Sequence, residues 1–212
     1  MLSPHRRAFI QSAEIALDLA GSAEVEAAWD AESACAGMSV GGLAHHLVSQ
    51  AVTTTWLLEG QPGADPIPML EHYERAAWVK ADLDDEVNVG IRSGSDEQAA
   101  AGPEAVLAAA REAVAALPGL LDGPRDPDAV LIPWQGWSLA TDDFLTTRMM
   151  EIVVHSDDLI ASVGLPAPVF PDDALTPVLA LLTGVAVRRH GQAALVRALS
   201  RPQRAPADVS AF

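Results

Sequence analysis

The chain has 212 residues, half of them hydrophobic, and a formal net charge of −16 at pH 7. A chain of this length can bury a substantial core in one domain. The negative charge argues against binding to a nucleic-acid backbone, because such binding depends on Lys and Arg. No apolar run approaches the ~20 residues that a membrane-spanning helix requires. Neither a nucleic acid nor a membrane is therefore expected as a partner.

The N-terminal segment predicts an amphipathic helix rather than an export signal. Glu14 and Asp18 interrupt what would have to be its apolar centre. Cys35 is the only cysteine, so an intrachain disulfide is excluded and a cytoplasmic location is expected. Cys35 has no charged helper close to it in the sequence. We therefore interpret it as an inert buried thiol.

The first half of the chain shows helical periodicity punctuated by Pro and Gly. The segment from Pro4 to Gly21 predicts a first helix. Ser39 is a favourable N-cap for a second helix that ends near Gly60. A less regular helix is predicted over Met69–Lys80, and the acidic break ADLDDE follows it.

The second half of the chain resumes with a helix that Pro103 opens and that runs to about Leu121. The stretch AVLIPWQGWSLA alternates around Gln135-Gly136, as in a short β-hairpin. Next comes a helix that Thr141, Asp142 and Asp143 are expected to cap and that stops at Gly164.

The C-terminal segment predicts two more helices. The first is expected from about Thr176 to His190, with Thr176 as its cap and Pro177 as its first residue; the second covers Ala193–Ser200. The expected fold class is all-α, a four-helix bundle with a short β-hairpin and additional C-terminal helices. We expect one domain over residues 1–212, with the bundle core at about 4–164 and a helical extension at about 165–212.

One predicted helix carries four ionisable residues on a single stripe. In RMMEIVVHSDDL, Arg148, Glu151, His155 and Asp158 follow one another at spacings of three and four residues, so they share one helix face. Apolar residues cover most of the remaining surface. The stripe is either the solvent-facing side of the helix, with an ordinary i,i+4 pair, or it points into a pocket.

A second predicted helix carries two adjacent histidines in its apolar body, in GGLAHHLV. Neighbouring residues lie ~100° apart on a helix, so at most one of His45 and His46 can face a given pocket. His46, Glu151 and His155 together would supply two imidazoles and one carboxylate. Such a set of three protein ligands leaves a coordination position open for water or substrate. The spacing alone does not establish that the two helices face each other.

Both segments resemble one family. SACAGMSVGGLAHHL is similar to a pattern in which Cys-Pro-Gly-Trp and a Ser/Thr cap precede a helix with a histidine before Leu. TTRMMEIVVHSDDLIASVGLP resembles the Arg–Glu–His–Asp-Leu segment of the same family. The family is the mycothiol-dependent maleylpyruvate isomerase N-terminal domain, in the DinB-like superfamily of metal-binding four-helix bundles. The resemblance covers nearly the whole chain. Ala36 and Met38 depart from it, since they replace the usual proline and tryptophan.

The resemblance implies that His46, rather than His45, is a metal ligand together with Glu151 and His155. Two imidazoles and a carboxylate suit zinc, with nickel, iron and manganese as alternatives. The resemblance also implies mycothiol as a thiol co-substrate, for S-transfer to a small electrophile or for its isomerisation. The family's isomerase has a further C-terminal α/β domain that this sequence does not contain, so S-transfer is expected over maleylpyruvate isomerisation.

Two other classes of function remain open. The protein could bind or sequester a small molecule without catalysis, or it could be a thiol-independent hydrolase in which the metal activates water. Thiol dependence separates these classes from the transferase. A monomer or a homodimer is expected.

Several further residues are secondary candidates. Arg148 could steady Glu151 or bind a substrate carboxylate, but a structural ion pair is the favoured interpretation. His72 is the other catalytic candidate, and with Tyr73 it is otherwise expected to form a half-buried packing pair. Asp158 is expected to hold a ligand histidine or a helix end.

The two tryptophans beside the predicted hairpin turn, Trp134 and Trp137, are expected in the aromatic core. The wall of a pocket mouth is the alternative for both.

Overall fold

The computed structural model describes residues 1–82 and 84–212, and the chain is mostly helical with one antiparallel hairpin. The α-helices are α1 Pro4–Ala20, α2 Ala23–Ala27, α3 Val40–Glu59, α4 Met69–Arg75, α5 Glu86–Ala99, α6 Pro103–Leu121, α7 Thr141–Val163, α8 Asp172–His190 and α9 Gln192–Ser200. The strands are β1 Ala129–Ile132 and β2 Trp137–Ala140. Single 3₁₀ turns cover Ala77–Lys80 and Pro202–Arg204. These elements confirm the predicted all-α class with a short hairpin.

Helices α1, α3, α6 and α7 pack against one another as the four-helix bundle. Large apolar side chains fill its centre, among them Phe9, Leu43, Leu117, Phe144 and Met149, each at most 1% exposed. Full burial of such a side chain contributes about 1.5–3 kcal/mol to folding before entropy is counted. α5 packs against α3 on the outside of the bundle, and α8 packs against α7. The single-domain interpretation of residues 1–212 stays a prediction.

Side-chain caps and a left-handed glycine define two of the predicted helix ends. The Oγ atom of Ser39 accepts a hydrogen bond from the backbone N–H of Gly42 at 2.9 Å, which confirms the predicted start of α3. Gly164, at φ 75°, ends α7 in the left-handed region that favours glycine. The predicted cap of α7 is wrong, because Thr141 is already helical and Ala140 precedes it without a side-chain cap.

Two helix predictions in the remaining chain need correction. α5 was not expected, since its sequence EVNVGIRSGSDEQA contains two glycines and buries only Ser95 and Ala99. α8 begins at Asp172, four residues before the predicted start, and Pro177 lies inside it. Pro177 lies beyond the first turn of α8, so the carbonyl of Asp173 lacks the i+4 backbone N–H group that another residue at this position would donate.

The N-terminal turn of α3 is in close contact with two neighbouring elements. A Cβ atom on Gly41 would lie 2.5 Å from the Trp29 ring, and one on Gly42 would lie 2.0 Å from Oδ1 of Asp96. The same Asp96 oxygen accepts hydrogen bonds from the N–H and the Oγ–H of Ser39, at 3.0 and 2.6 Å. Glycine at 42 therefore allows Asp96 of α5 to hold the start of α3, and glycine at 41 allows the Trp29 ring to pack against it.

The β-hairpin lies over one end of the bundle. Its strands pair Ile132 with Trp137 and Ala129 with Ala140, so the chain turns at Pro133–Gly136, where the sequence predicted it. None of the helices in residues 1–82 and 84–212 combines the length and the apolar composition that crossing a membrane requires.

Candidate metal centre

Helix α7 brings three polar side chains together on its half-buried face. His155 Nε2 lies 3.2 Å from Glu151 Oε2, one turn away, and its other ring nitrogen, Nδ1, lies 3.0 Å from Asp158 Oδ2. The i,i+4 and i,i+3 spacings predicted both contacts. The stripe points into the protein, since the side chains of Glu151 and His155 are only 14% and 21% exposed.

Helix α3 adds His46 to this face. Its Nε2 atom lies 3.7 Å from Glu151 Oε2, and its ring meets that of His155 edge-on with 4.8 Å between centroids. One donor atom from each of His46, Glu151 and His155 lies within 4.8 Å of the other two. The two helices therefore face each other, and these three residues could hold a metal ion.

Hydrogen bonds and neighbouring charges shift the pKa values of Glu151 and His155 in opposite directions. Burial alone would raise the pKa of Glu151, but hydrogen bonds from His155 and His46 and the nearby charge of Arg148 hold it well below its usual range. Burial would lower the pKa of His155, and its hydrogen bonds to Asp158, Cys35 and Glu151 instead raise it well above the usual value. The carboxylate is thus ionised at neutral pH, as a metal ligand must be.

His45 belongs to neither group of candidate metal ligands among the described residues. Burial lowers its pKa, with a smaller effect from His46, and its Nδ1 atom is buried without a hydrogen-bond partner among the described residues. The 100° step between neighbouring helical residues accounts for this difference between two otherwise equivalent histidines.

Cys35 is not the isolated buried thiol that the sequence predicted. It is only partly buried, and its sulfur lies within 4.8 Å of a His155 nitrogen and an Asp158 oxygen. The segment before α3 brings it there across more than a hundred residues of sequence, so no local pattern could have indicated the contact. Cys35, His155 and Asp158 form a second group that could hold a metal, but it shares His155 with the first.

Among the described residues, Arg148 has no carboxylate partner that would form the structural ion pair favoured from the sequence. Its Nε and Nη1 groups donate to Thr147 Oγ1 at 3.1 Å and to Gln50 Oε1 at 2.8 Å, both neutral acceptors. Gln50 in turn donates to the backbone carbonyl of His46 at 2.9 Å. Gln50 was not predicted from the sequence, where a polar amide in the apolar body of α3 was the available signal, and the structure shows that it is buried.

His72 and Tyr73 are buried more deeply than predicted, at 4% and 2% exposure. Their rings form an edge-to-face pair with centroids 4.9 Å apart. The indole N–H of Trp137 donates to His72 Nδ1 at 3.0 Å, which connects the hairpin to α4. Trp137 is half-buried at this contact.

The prediction of core packing is wrong for Trp134. Its ring is 56% exposed and stacks on Trp56, itself 55% exposed, with 6.2 Å between centroids. Asp157, next to the polar stripe of α7, is exposed. A cavity of about 560 Å³ lies between α7 and the segment 167–170 that precedes α8, and Asp158 is the one member of the stripe that lines it.

The fold and this geometry define a class: a helical-bundle protein in which two facing helices contribute a His–Glu–His group able to hold a divalent ion. The family described as mycothiol maleylpyruvate isomerase N-terminal domain matches residues 10–160, and the chain belongs to that family. Comparison with curated proteins and with solved structures gave no match.

Proposed function

We propose that the protein binds one divalent metal ion, with zinc the expected ion, through His46, Glu151 and His155. In this proposal it uses the thiol mycothiol, as an S-transferase or isomerase acting on a small electrophile. The observation that carries the proposal is the convergence of two imidazole nitrogens and one carboxylate oxygen, from two helices, within 4.8 Å of one another. Family membership supports the thiol.

The donor atoms have the spacing that a small ion needs. Tetrahedral zinc with ligands at about 2.0–2.2 Å separates neighbouring donors by about 3.3–3.6 Å. The measured separations from Glu151 Oε2 are 3.2 Å to His155 Nε2 and 3.7 Å to His46 Nε2. Three protein ligands leave a fourth position open, as catalytic zinc sites do.

The surrounding residues would orient the ligands. In the neutral form of His155, a hydrogen bond from Nδ1 to Asp158 would leave the Nε2 lone pair available to a metal and fix the plane of the ring. Gln50 holds the backbone of α3 at His46 through its carbonyl. A bound divalent ion would lower the pKa of a thiol at the open position, so that the nucleophilic thiolate is available near neutral pH.

The test uses purified protein in which cobalt replaces the native ion. Mycothiol should produce a sulfur-to-metal charge-transfer band, and the zinc-loaded protein should conjugate mycothiol to a reactive aryl halide. A fully cobalt-loaded protein that shows no band with excess mycothiol would exclude the thiol mechanism. Turnover of an ester without thiol would then indicate the hydrolase, and neither activity would indicate a binding protein.

A further inference from the structure

Cys35 lies in a loop that hydrogen bonds hold against α7. The backbone N–H of its neighbour Ala34 donates to Ser162 Oγ at 2.8 Å, and Ser162 in turn donates to the backbone carbonyl of Asp158 at 2.7 Å. Within the loop, the carbonyl of Cys35 accepts from the N–H of Met38 at 3.1 Å. These bonds fix the backbone of Cys35 relative to α7, one turn away from the side chains described next.

Three different kinds of donor atom meet beside this loop. The sulfur of Cys35, one ring nitrogen of His155 and one carboxylate oxygen of Asp158 all lie within 4.8 Å of one another. Each of the three residues is half-buried, so an ion could enter from solvent. Thiolate, imidazole and carboxylate are the three ligand types that bind zinc in proteins. This cluster therefore has the composition of a metal site in its own right.

His155 offers a separate nitrogen to each of its two neighbouring groups. Its Nε2 atom lies 3.2 Å from Glu151 Oε2, whereas Nδ1 lies 3.0 Å from Asp158 Oδ2. The lone pairs of the two nitrogens point out of different edges of the ring. An ion that Nδ1 binds therefore does not occupy the position of an ion that Nε2 binds.

We propose that Cys35, Asp158 and Nδ1 of His155 form a second metal site, for a thiophilic divalent cation of the zinc and cadmium type. A soft thiolate ligand favours such ions over magnesium or calcium. The ion displaces two protons, one from the thiol and one from Nδ1, and both pass to solvent. With both sites filled, the ring of His155 is an imidazolate whose two nitrogens bind one ion each.

The second site should be the weaker of the two. An ion bound by Nε2 lets the Nδ1 proton stay in the hydrogen bond to Asp158, whereas an ion in the second site must break that bond and remove the proton. The His–Glu–His group therefore fills first, and the second site fills as the concentration of free ion rises. This inference requires neither mycothiol nor turnover, so it stands or falls separately from the proposed function.

The first test uses the fact that Cys35 is the one cysteine of the chain. Without added thiol, a thiolate-to-metal signal can come from no other residue. Zinc-loaded protein is titrated with cadmium in thiol-free buffer, and the ultraviolet charge-transfer absorption of the Cd–S bond is recorded. Wild type should show a saturable band, and Cys35→Ser should show none. His46→Ala, which breaks only the first group, should keep the band.

Further variants separate a built site from a lone thiol that captures cadmium. Loss of even an outer-shell partner weakens metal binding about 10- to 100-fold, and loss of a direct ligand should weaken it at least as much. We therefore expect Asp158→Asn and His155→Gln to lower the cadmium affinity by about tenfold or more. Asp157→Asn, at the exposed neighbouring position, is the matched control and should leave the affinity unchanged.

Thiol protection provides a readout with zinc itself. Cys35 is partly exposed, so iodoacetamide can alkylate it. Excess zinc should slow the alkylation in wild type, in His46→Ala and in Asp157→Asn, because the sulfur is then bound to the ion. The same zinc concentration should protect Asp158→Asn much less.

Three results would overturn the second site. They are a wild type without a Cd–S band, an unchanged cadmium affinity in Asp158→Asn and His155→Gln, and a band that His46→Ala abolishes. If His155→Gln does not fold, Asp158→Asn and the alkylation rates decide the question. A protein that shows the Cys35 band but never conjugates mycothiol would keep this site and refute the proposed function.

Discussion

Nδ1 of His155 lies 3.0 Å from Oδ2 of Asp158, three residues further along α7. If His155 binds a metal through Nε2, this contact fixes its tautomer and raises its basicity. We expect Asp158→Ala to weaken metal binding by about 10- to 100-fold, the usual effect of losing such a partner. Competition with a calibrated chelator measures it. Asp157→Ala, at the exposed neighbouring position, is the control, and equal affinities for the two variants would contradict the role of Asp158.

The two adjacent histidines of α3 should differ sharply in their importance for the metal. We expect His46→Ala to empty the site, because it removes one of three ligands, and His45→Ala to keep near-full occupancy. Elemental analysis of the purified variants gives the ratio of metal to protein. If His45→Ala empties the site and His46→Ala does not, then His45 rather than His46 faces the metal, and α3 is rotated about its axis relative to the arrangement described above.

Metal removal should lower stability without unfolding the bundle. The core side chains of α1, α3, α6 and α7 are buried independently of the site, unlike those of small domains that fold only around zinc. We expect chelation to lower the melting temperature and to leave the helical circular dichroism in place. Loss of the helical signal on chelation would show that the ion is structural, which would favour a non-enzymatic role.

His72 should make the protein less stable in acid. Its pKa falls from 6.5 to about 4 on folding, so the unfolded chain binds its proton more readily. The free energy of unfolding is therefore unaffected by this histidine above pH 6.5. It decreases as the pH falls toward 4, by up to about 3 kcal/mol. Urea unfolding of chelated protein at pH 7 and pH 4.5 measures the loss. His72→Gln should lose less over this interval, and an identical pH dependence for both would refute the assignment.

The same substitution at two glycines should have opposite effects on stability. Gly42→Ala would drive a methyl group into Asp96 and disturb the Ser39 cap, so we expect a loss of about 1–3 kcal/mol. Gly90→Ala meets open space inside α5 and should stabilise by about 0.5–1 kcal/mol, through the higher helix propensity of alanine. Thermal unfolding of both variants tests the close contact between α3 and α5.

The sequence predicted those parts of the site that local spacing determines. Glu151 and His155 are one turn apart on one helix, so their proximity follows from helix geometry alone. The choice of His46 over His45 came from a family resemblance, and the structure places His46 toward Glu151. Whether these residues bind a metal stays a prediction.

The sequence did not predict contacts between residues far apart in the chain. Cys35 approaches His155 across the bundle, and Asp96 reaches Ser39 from a helix that was not expected. α5 buries only Ser95 and Ala99 and so has little apolar periodicity, and its packing against α3 is a contact between residues far apart in the chain. Trp134 was assigned to the core from its apolar character, yet it stacks in solvent on a residue of α3.

In the proposed centre, the helices share the ligands unequally, two on α7 and one on α3. The distance between Glu151 and His155 is set by the pitch of a single helix and tolerates little change. The distance from His46 to Glu151 depends instead on how closely two helices pack, and fully buried side chains such as Leu47 and Ile152 lie next to these ligands in sequence. Core substitutions between α3 and α7 would therefore change the size of the coordination sphere with all three ligands retained. Ion preference in such a bundle can thus diverge between relatives through hydrophobic positions alone.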